Sequence, residues 1–593
     1  MAKTPNIIVV GGGLAGLAAS IKIAEAGGHV DLFSIVPVKR SHSVCAQGGI
    51  NAAKNLKGEG DSTWKHLDDT IYGGDFLANQ TPVRDMCEAA PGIIDLLDRL
   101  GVTFNRTPEG LLDFRRFGGT LYNRTAFAGA TTGQQLLYAL DEQVRRHEAD
   151  GKVTKYEHWE FLSAVLDGKR ACRGICAMDL RSMEVRAFPA DAIIICTGGI
   201  GAIFGKSTNS VVCTGSAQSA LYQQGAYYAN GEFIQVHPTC IPGEDKLRLM
   251  SESARGEGGR VWVPRNKGDQ RDWKSIPESE RFYFLEEWYP KYGNLVPRDV
   301  ATRAIHKVVF EEGLGMDGKA MVYLDLTHID RATLDRKLEG ILEIYEKFVG
   351  DDPRTTPMKI FPGMHYTMGG LWVDFKQATN LPGIFAAGEC EYQYHGANRL
   401  GANSLLSCIW GGFVAGPAAL AYAKSAGASA GNGHFEAEKK RQQEINSGLM
   451  RSDGKENPFR LWGELGELMT KDCTVIRYNK ILQQTDIKLV EMLERFKHIN
   501  LSDRTNWANT SVVFARQLYN MLQLARVIAQ GAAQRDESRG AHYKPDFPER
   551  DDPNWLKTTK ALFAPDADEP RFEFEPVDTS LIPPRPRRYD VAA

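Results

Sequence analysis

Apolar residues change their period several times along the chain, and each change marks an element. Ile7-Ile8-Val9-Val10 is a short unbroken apolar run, as expected of a strand buried on both faces. Gly11-Gly12-Gly13-Leu14-Ala15-Gly16 follows at once, and an Ala/Leu-rich helical pattern continues to about position 26. His29-Val30-Asp31-Leu32-Phe33-Ser34 predicts a second strand. Helical periodicity returns at 83–100 and, in amphipathic form, at 132–147. Between 155 and 190, short stretches separated by Gly and Asp turns predict a meander. Ala190-Asp191-Ala192-Ile193-Ile194-Ile195-Cys196-Thr197-Gly198-Gly199 predicts another buried strand, ending in Thr-Gly-Gly. Segment 381–389, closing on Ala387-Gly388-Glu389, predicts a last one. Small residues at a strand's C-terminal end suit the ligand edge of an open sheet.

Elsewhere the pattern is less regular. After Glu232-Phe233-Ile234-Gln235-Val236-His237-Pro238-Thr239 the chain turns charged and irregular to about position 350. The most apolar long run, 407–423, contains Gly411, Gly412, Gly416 and Pro417 and reads as a buried helix rather than a membrane span. Heptad-like spacing with few glycines predicts a three-helix bundle between 436 and 534. The remainder is rich in Pro and Asp and ends near Pro583-Pro584-Arg585-Pro586-Arg587-Arg588. Such a tail is expected to lie over a surface or a partner rather than fold alone.

Strand-helix-strand units interrupted by a charged insertion predict an α/β protein. A discontinuous Rossmann-like nucleotide domain is expected at 1–237 and 358–425, with an α+β capping domain at 238–357. A helical domain at 435–540 and a tail region at 541–593 follow. A length of 593 residues accommodates several such domains. The net charge of −3 argues against nucleic acid as the main partner. The first strand begins too early to leave room for a secretory signal. The ten cysteines are scattered and form no C-x-x-C, so reduced thiols, no metal site and no iron–sulfur ligand run are expected.

Chemistry enters with the glycines. Strand, G-x-G-x-x-G and helix in succession form a dinucleotide fingerprint: Gly11 for the tight turn, Gly13 for approach of a pyrophosphate, Gly16 for close helix–strand packing. The helix start at Leu14 and Ala15 then offers N–H groups and a positive dipole end to the phosphates. Ser34 stands where an acid usually meets the ribose hydroxyls. Lys39-Arg40-Ser41-His42-Ser43-Val44-Cys45-Ala46-Gln47-Gly48-Gly49 is a basic, Gly-ended loop. Lys39 and Arg40 suit phosphate, and Gly48 and Gly49 suit backbone approach to a flat ring. By itself His42 would be read as a surface histidine.

This loop resembles the flavin-attachment segment of the succinate dehydrogenase/fumarate reductase flavoprotein subunits, R-S-H-[ST] followed by A-[QE]-G-G. The resemblance continues in order through His237, Ser251-Glu252-Ser253-Ala254-Arg255, Pro297-Arg298-Asp299, His365 and Arg399, over nearly the whole chain. It implies a two-dinucleotide-binding-type FAD domain with an inserted cap, a C-terminal helical bundle and an extended tail. It also implies covalent FAD, joined at its 8α-methyl to His42. Ser41, Ser43, Ala46 and Gln47 would complete the attachment loop, and Thr197, Gly198 and Gly199 would lie on the adenosine side. Ser216 occupies a place where the family often has Asp. Glu389 is placed to supply the acid for the ribose that Ser34 does not. Asn403, Ser404 and Leu405 would start a helix whose N–H groups face the flavin O2 edge.

The implied substrate is a four-carbon dicarboxylate, succinate or fumarate. Arg399 and His365 would hold one carboxylate and His237 and Ser251 the other, with Phe117 beside substrate and flavin. Arg298 would be the acid/base, with Glu252 and Arg255 relaying its proton. From pKa alone a His or Lys would be the default. Electrons would pass to an iron–sulfur subunit held to a cytochrome b membrane anchor, on the cytoplasmic side of a bacterial inner membrane. Gln47, where some fumarate reductases have Glu, leans toward succinate oxidation. Fumarate reduction is the alternative direction, and L-aspartate oxidase, whose FAD is not covalently held, is the competing enzyme.

Overall fold

The computed structural model describes residues 4–243, 246–316, 320–426, 432–567 and 569–589. Its centre is a five-stranded parallel sheet in the order Ile384–Ala386, Ala192–Ile195, Asn6–Val10, His29–Ser34, Val153–Glu157. Val10 is in register with Ile195 on one side and Phe33 on the other, so all three strands end together. Ile7, Ile8, Val9, Ile193, Ile194 and Ile195 are fully buried, which explains why these strands read as unbroken apolar runs. Helix Leu14–Glu25 packs on one face against helix Asn403–Ser425. A Cβ on Gly412 would stand 2.4 Å from Ala15 O, so the crossing depends on the missing side chain. Asn403–Ser425 is the one helix among the described residues long and apolar enough to cross a membrane by length and composition. It packs on the sheet beside helix Leu14–Glu25 as a core element.

The meander appears as three antiparallel strands, Trp159–Leu166, Cys172–Asp179 and Val185–Pro189. The charged insertion forms a six-stranded antiparallel sheet, in which Ile234–Ile241 pairs with Met358–Thr367. That sheet spans the divisions set at 237/238 and 357/358. Helices Arg298–His306 and Arg331–Val349 close its core.

The helical region differs from a three-helix bundle by one helix. Pro458–Asp472, Asn479–Phe496 and Thr510–Gln534 share one apolar core. The preceding helix, Asn432–Arg451, docks on the meander instead, with Leu449 and Met450 packed beside Met178 and Val185 and with polar contacts along its length. There Gln442 Nε2 donates to Ser163 Oγ at 3.0 Å, and Asn446 Nδ2 meets Met178 Sδ at 3.2 Å.

The tail does fold. Lys557–Ala564 and Glu569–Pro576 form a hairpin that adds to Tyr228–Ala229. Alternation such as Phe572-Glu573-Phe574-Glu575 carries the period of two, which the surrounding Pro and Asp obscure in the sequence.

Candidate functional site

The sheet's C-terminal edge opens into a cavity of about 500 Å³ that extends beneath the cap. Gly11, Gly13, Leu14 and Ala15 line it at the first strand-to-helix turn. At Gly11 the backbone has φ +114°, and a Cβ would sit 2.2 Å from Cys196 O, so only glycine fits. Gly16 does not reach the cavity. Its missing Cβ would stand 1.9 Å from Gly11 O, which is the close packing the fingerprint needs. Ser34, Ser41, His42, Ser43, Ala46, Gln47, Gly48 and Gly49 also line it, as do Thr197, Gly198, Ser216 and Glu389. Ser41 Oγ, Gln47 Oε1 and Thr197 Oγ1 are buried without a hydrogen-bond partner, as expected of a surface that receives a polar ligand.

Several sequence expectations are corrected by position. Lys39 Nζ stands over the Tyr138 ring at 4.7 Å and 3.9 Å from Asp141, and Arg40 is exposed, so neither side chain lines the cavity. The short helical turn Val38–Arg40 turns them outward, because Val38 is the member of the turn that packs inside. Gly199 lies outside the cavity wall, with its absent Cβ facing Glu389 Oε1 at 2.4 Å. Ser404 and Leu405 line the cavity at a helix start, but Asn403 points away. It accepts from Asn51 Nδ2 at 2.8 Å and donates to Thr70 Oγ1 at 2.9 Å. Ser216 accepts from Asn520 Nδ2 at 2.7 Å, tying the cavity wall to the helical domain. Glu389 accepts the Thr367 N–H at 3.1 Å, and burial raises its carboxyl to about 8.

The far end of the cavity collects His237, Ser251, Glu252, Arg298, His365, Arg399 and Phe117. The rings of His237 and His365 lie 5.0 Å apart, edge to face. His237 Nδ1 accepts the Thr239 N–H at 3.2 Å, which puts the imidazole proton on Nε2, and Nε2 has no partner. Burial, followed by the nearby Arg298, holds both imidazoles neutral, well below the ordinary histidine range. Ser251 Oγ lies 2.9 Å from Ser253 Oγ. Phe117 fills space left by Gly48 and Gly401, each of which would clash with its ring if it carried a Cβ.

Arg399 is buried over the Tyr366 ring at 4.6 Å and makes no ion pair with a carboxylate among the described residues. Burial, then Arg298, lowers its guanidinium to about 9. Arg298 starts its helix, and its Nε and Nη2 both donate to Glu252 Oε2, at 3.0 and 2.8 Å. Glu252 Oε1 accepts from Arg255 Nη2 at 2.7 Å, so the three side chains form a chain leading from the cavity. Arg255 itself lies behind Glu252 and does not line the cavity. Burial works to raise the Glu252 carboxyl, but Arg298 and Arg255 outweigh it and hold the group below its usual value. Gly118 makes room for this carboxylate: its Cβ would meet Glu252 Oε1 at 2.1 Å.

Two features have no counterpart in the sequence reading. Gln235 donates to Asn398 Oδ1 at 2.9 Å and Arg399 O at 2.8 Å, and accepts from Arg298 Nη1 at 3.0 Å, bridging both arginines. Loop residues 208–210 bridge the two ends of the cavity. Ser210 N donates to His42 Nδ1 at 3.1 Å, Asn209 Nδ2 lies 3.3 Å from His42 Nε2 and donates to His365 O at 2.9 Å, and Thr208 Oγ1 meets His365 Nδ1 at 2.7 Å. Ser207-Thr208-Asn209-Ser210 has the composition of an ordinary turn, so its only sequence signal was polarity.

Residues 6–405 match the family model "FAD binding domain", and 462–589 match "Fumarate reductase flavoprotein C-term". The chain is 65% identical to the succinate dehydrogenase flavoprotein subunit of Bacillus subtilis, over 98% of this chain and 98% of that one. It is 35% identical to the fumarate reductase flavoprotein subunit of Escherichia coli, over 98% and 96%. A solved E. coli quinol fumarate reductase chain superposes with a TM-score of 0.91 at 32% identity, covering 100% of each chain.

Proposed function

The chain belongs to the succinate dehydrogenase/fumarate reductase flavoprotein family, and on that premise we propose that it oxidises succinate to fumarate with the residues gathered beneath its cap. One observation carries this reading. Among the described residues, Arg298, Arg255 and Arg399 are buried beside two neutral histidines, and one carboxylate, Glu252, is within ion-pair distance of any of the three. Buried cations need compensation, and a small dianion supplies it. The direction rests on the 65% likeness to a succinate dehydrogenase subunit against 35% to a fumarate reductase.

Arg399 and His365 take one carboxylate, and His237 Nε2–H with Ser251 takes the other. Guanidinium and imidazole donors then fix both ends, leaving the central carbons between them. FAD fits the cavity wall at Gly11, Gly13, Leu14 and Ala15, and at the unpartnered Ser41, Gln47 and Thr197 atoms, and when bound supplies the hydride acceptor. Arg298 receives the proton from the carbon next to the one that loses hydride. To act as base Arg298 first releases a proton, and Glu252, which accepts from Arg298 Nε and Nη2 and from Arg255 Nη2, is placed to conduct it away.

Covalent attachment of FAD is assigned to His42. Its Nδ1 accepts the Ser210 N–H at 3.1 Å, and Nε2, which faces the Asn209 amide at 3.3 Å, is the nitrogen assigned to the bond. Burial, followed by Lys246, lowers the imidazole to about 4, so the ring is uncharged at neutral pH. Electrons leave through an iron–sulfur subunit and a cytochrome b anchor, with this chain peripheral on the cytoplasmic face of the membrane. The domain division at 1–237 with 358–425, 238–357, 435–540 and 541–593 belongs to the same reading.

Anaerobic succinate should bleach the flavin absorbance of the purified complex, and an unchanged spectrum would refute the activity. Mass spectrometry of the peptide spanning His42 should find it carrying FAD. Recovery at its unmodified mass would refute the attachment.

A further inference from the structure

We propose that the C-terminal tail is a clasp joining the cap to the nucleotide domain behind the active site, and that Arg587 is a positioning residue for Arg298. The inference rests on the reading of Arg298 as the acid/base. Asp299 follows Arg298 at the start of helix Arg298–His306 and is buried. Arg587 Nη1 and Nη2 grip the two Asp299 carboxylate oxygens at 2.6 and 2.9 Å, a fork-to-fork pair, while its Nε donates to Tyr72 O at 3.1 Å. Arg303, one turn further along the helix, reaches Asp299 Oδ2 at 3.1 Å. Burial raises the Asp299 carboxyl, but Arg587 and then Arg303 reverse this and hold it at about 2.

The tail reaches this point along the nucleotide domain. Asp578 Oδ2 accepts from Thr81 N and Oγ1 at 2.9 and 2.6 Å, and Gln80 Oε1 accepts from Ile582 N at 2.7 Å. Tyr72 OH exchanges hydrogen bonds with Arg588 N and O, at 2.6 and 2.9 Å. Tyr589 then enters the cap core, 5.0 Å from the Tyr292 ring and 5.5 Å from Tyr72. One continuous segment therefore holds Thr63–Gly73 of the nucleotide domain and the first turn of the cap helix that presents Arg298. Proton transfer tolerates little displacement: about 1 Å of misplacement costs on the order of 10²-fold. A bidentate pair one residue from the acid/base is suited to prevent it.

The test uses the assembled complex. Arg587→Ala should lower kcat by about 10- to 100-fold, with KM changed less than about 3-fold and flavin content unchanged. Amide exchange across 299–306 should quicken. Arg587→Lys, which keeps the charge and loses the fork, should recover part of kcat. Arg585→Ala, which removes an exposed pair with Asp68 on the same tail, should change kcat less than about 2-fold. If Arg587→Ala fails to assemble, Arg587→Gln takes its place with the same expectation. Normal kcat and exchange in the Arg587 variant, beside an inactive Arg298→Lys, overturns the clasp and leaves the acid/base assignment standing. Normal turnover in Arg298→Lys removes that assignment, and the clasp with it.

Discussion

Two clusters of buried arginines in this chain have opposite charge balance. Arg535 and Arg539, where the helical domain meets the tail, face Glu232 and Glu537 with Asp552 at the rim. Arg535 Nε donates to Glu232 at 2.7 Å, Nη1 to Glu537 and Trp555 O at 2.8 and 2.9 Å, and Nη2 to Lys557 O and Thr559 Oγ1 at 2.9 and 2.8 Å. Beneath the cap, among the described residues, Arg298 and Arg255 share the carboxylate of Glu252 while Arg399 pairs with none, and the Nε atoms of Arg255 and Arg399 have no partner. Burial is the same; satisfaction differs. A network in which a guanidinium such as that of Arg535 uses all its donors holds domains together, whereas one short of acid is prepared for an anion that arrives from outside.

The comparison can be broken at either cluster. The largest effect is expected for Arg298→Lys, which should lose about 10²- to 10⁴-fold in turnover while keeping flavin and thermal midpoint, since acid–base catalysis is worth that much. Steady-state kinetics beside a melting curve checks both halves. Glu537→Gln should do the reverse, costing about 3–5 kcal/mol because two arginines lose their acid inside the protein. The melting temperature should fall, and kcat of the folded fraction should not.

A pH series sharpens the contrast. Arg399 is lowered to about 9, so the free enzyme carries this cation below that pH and loses it above. Its role in gripping a carboxylate therefore fades as pH rises, and kcat/KM should fall about tenfold per unit above pH 9. A bound dianion favours the charged guanidinium, so kcat should hold to higher pH than kcat/KM. Coincident limbs in the two profiles would sink the assignment of Arg399 to substrate. The smallest effect is expected for Ser251→Ala, about 1 kcal/mol or roughly a fivefold rise in KM, because a hydroxyl hydrogen bond is worth that.

Much of the site was legible because its signals are local. The turn at Gly11 demands a backbone that only glycine adopts, and Arg298, His365 and Arg399 stand in recognisable sequence neighbours. What failed was direction. Lys39 and Arg40 had the right charge but sit on a turn whose inward residue is Val38. Asn403 sits at a helix start as expected, yet the helix rotates it toward Asn51 and Thr70.

From the sequence came the apolar strands of the nucleotide fold, the nucleotide turn and the order of the chemical groups, since buried periodicity and glycine conformation act over a few residues. Only the tertiary structure decided which charges meet. Glu252 reaches Arg298 across 46 positions and Asp299 reaches Arg587 across 288. Such pairings depend on how separate elements pack, and a buried charge is stabilised by whatever neighbour that packing brings within a few ångströms, regardless of its place in the chain.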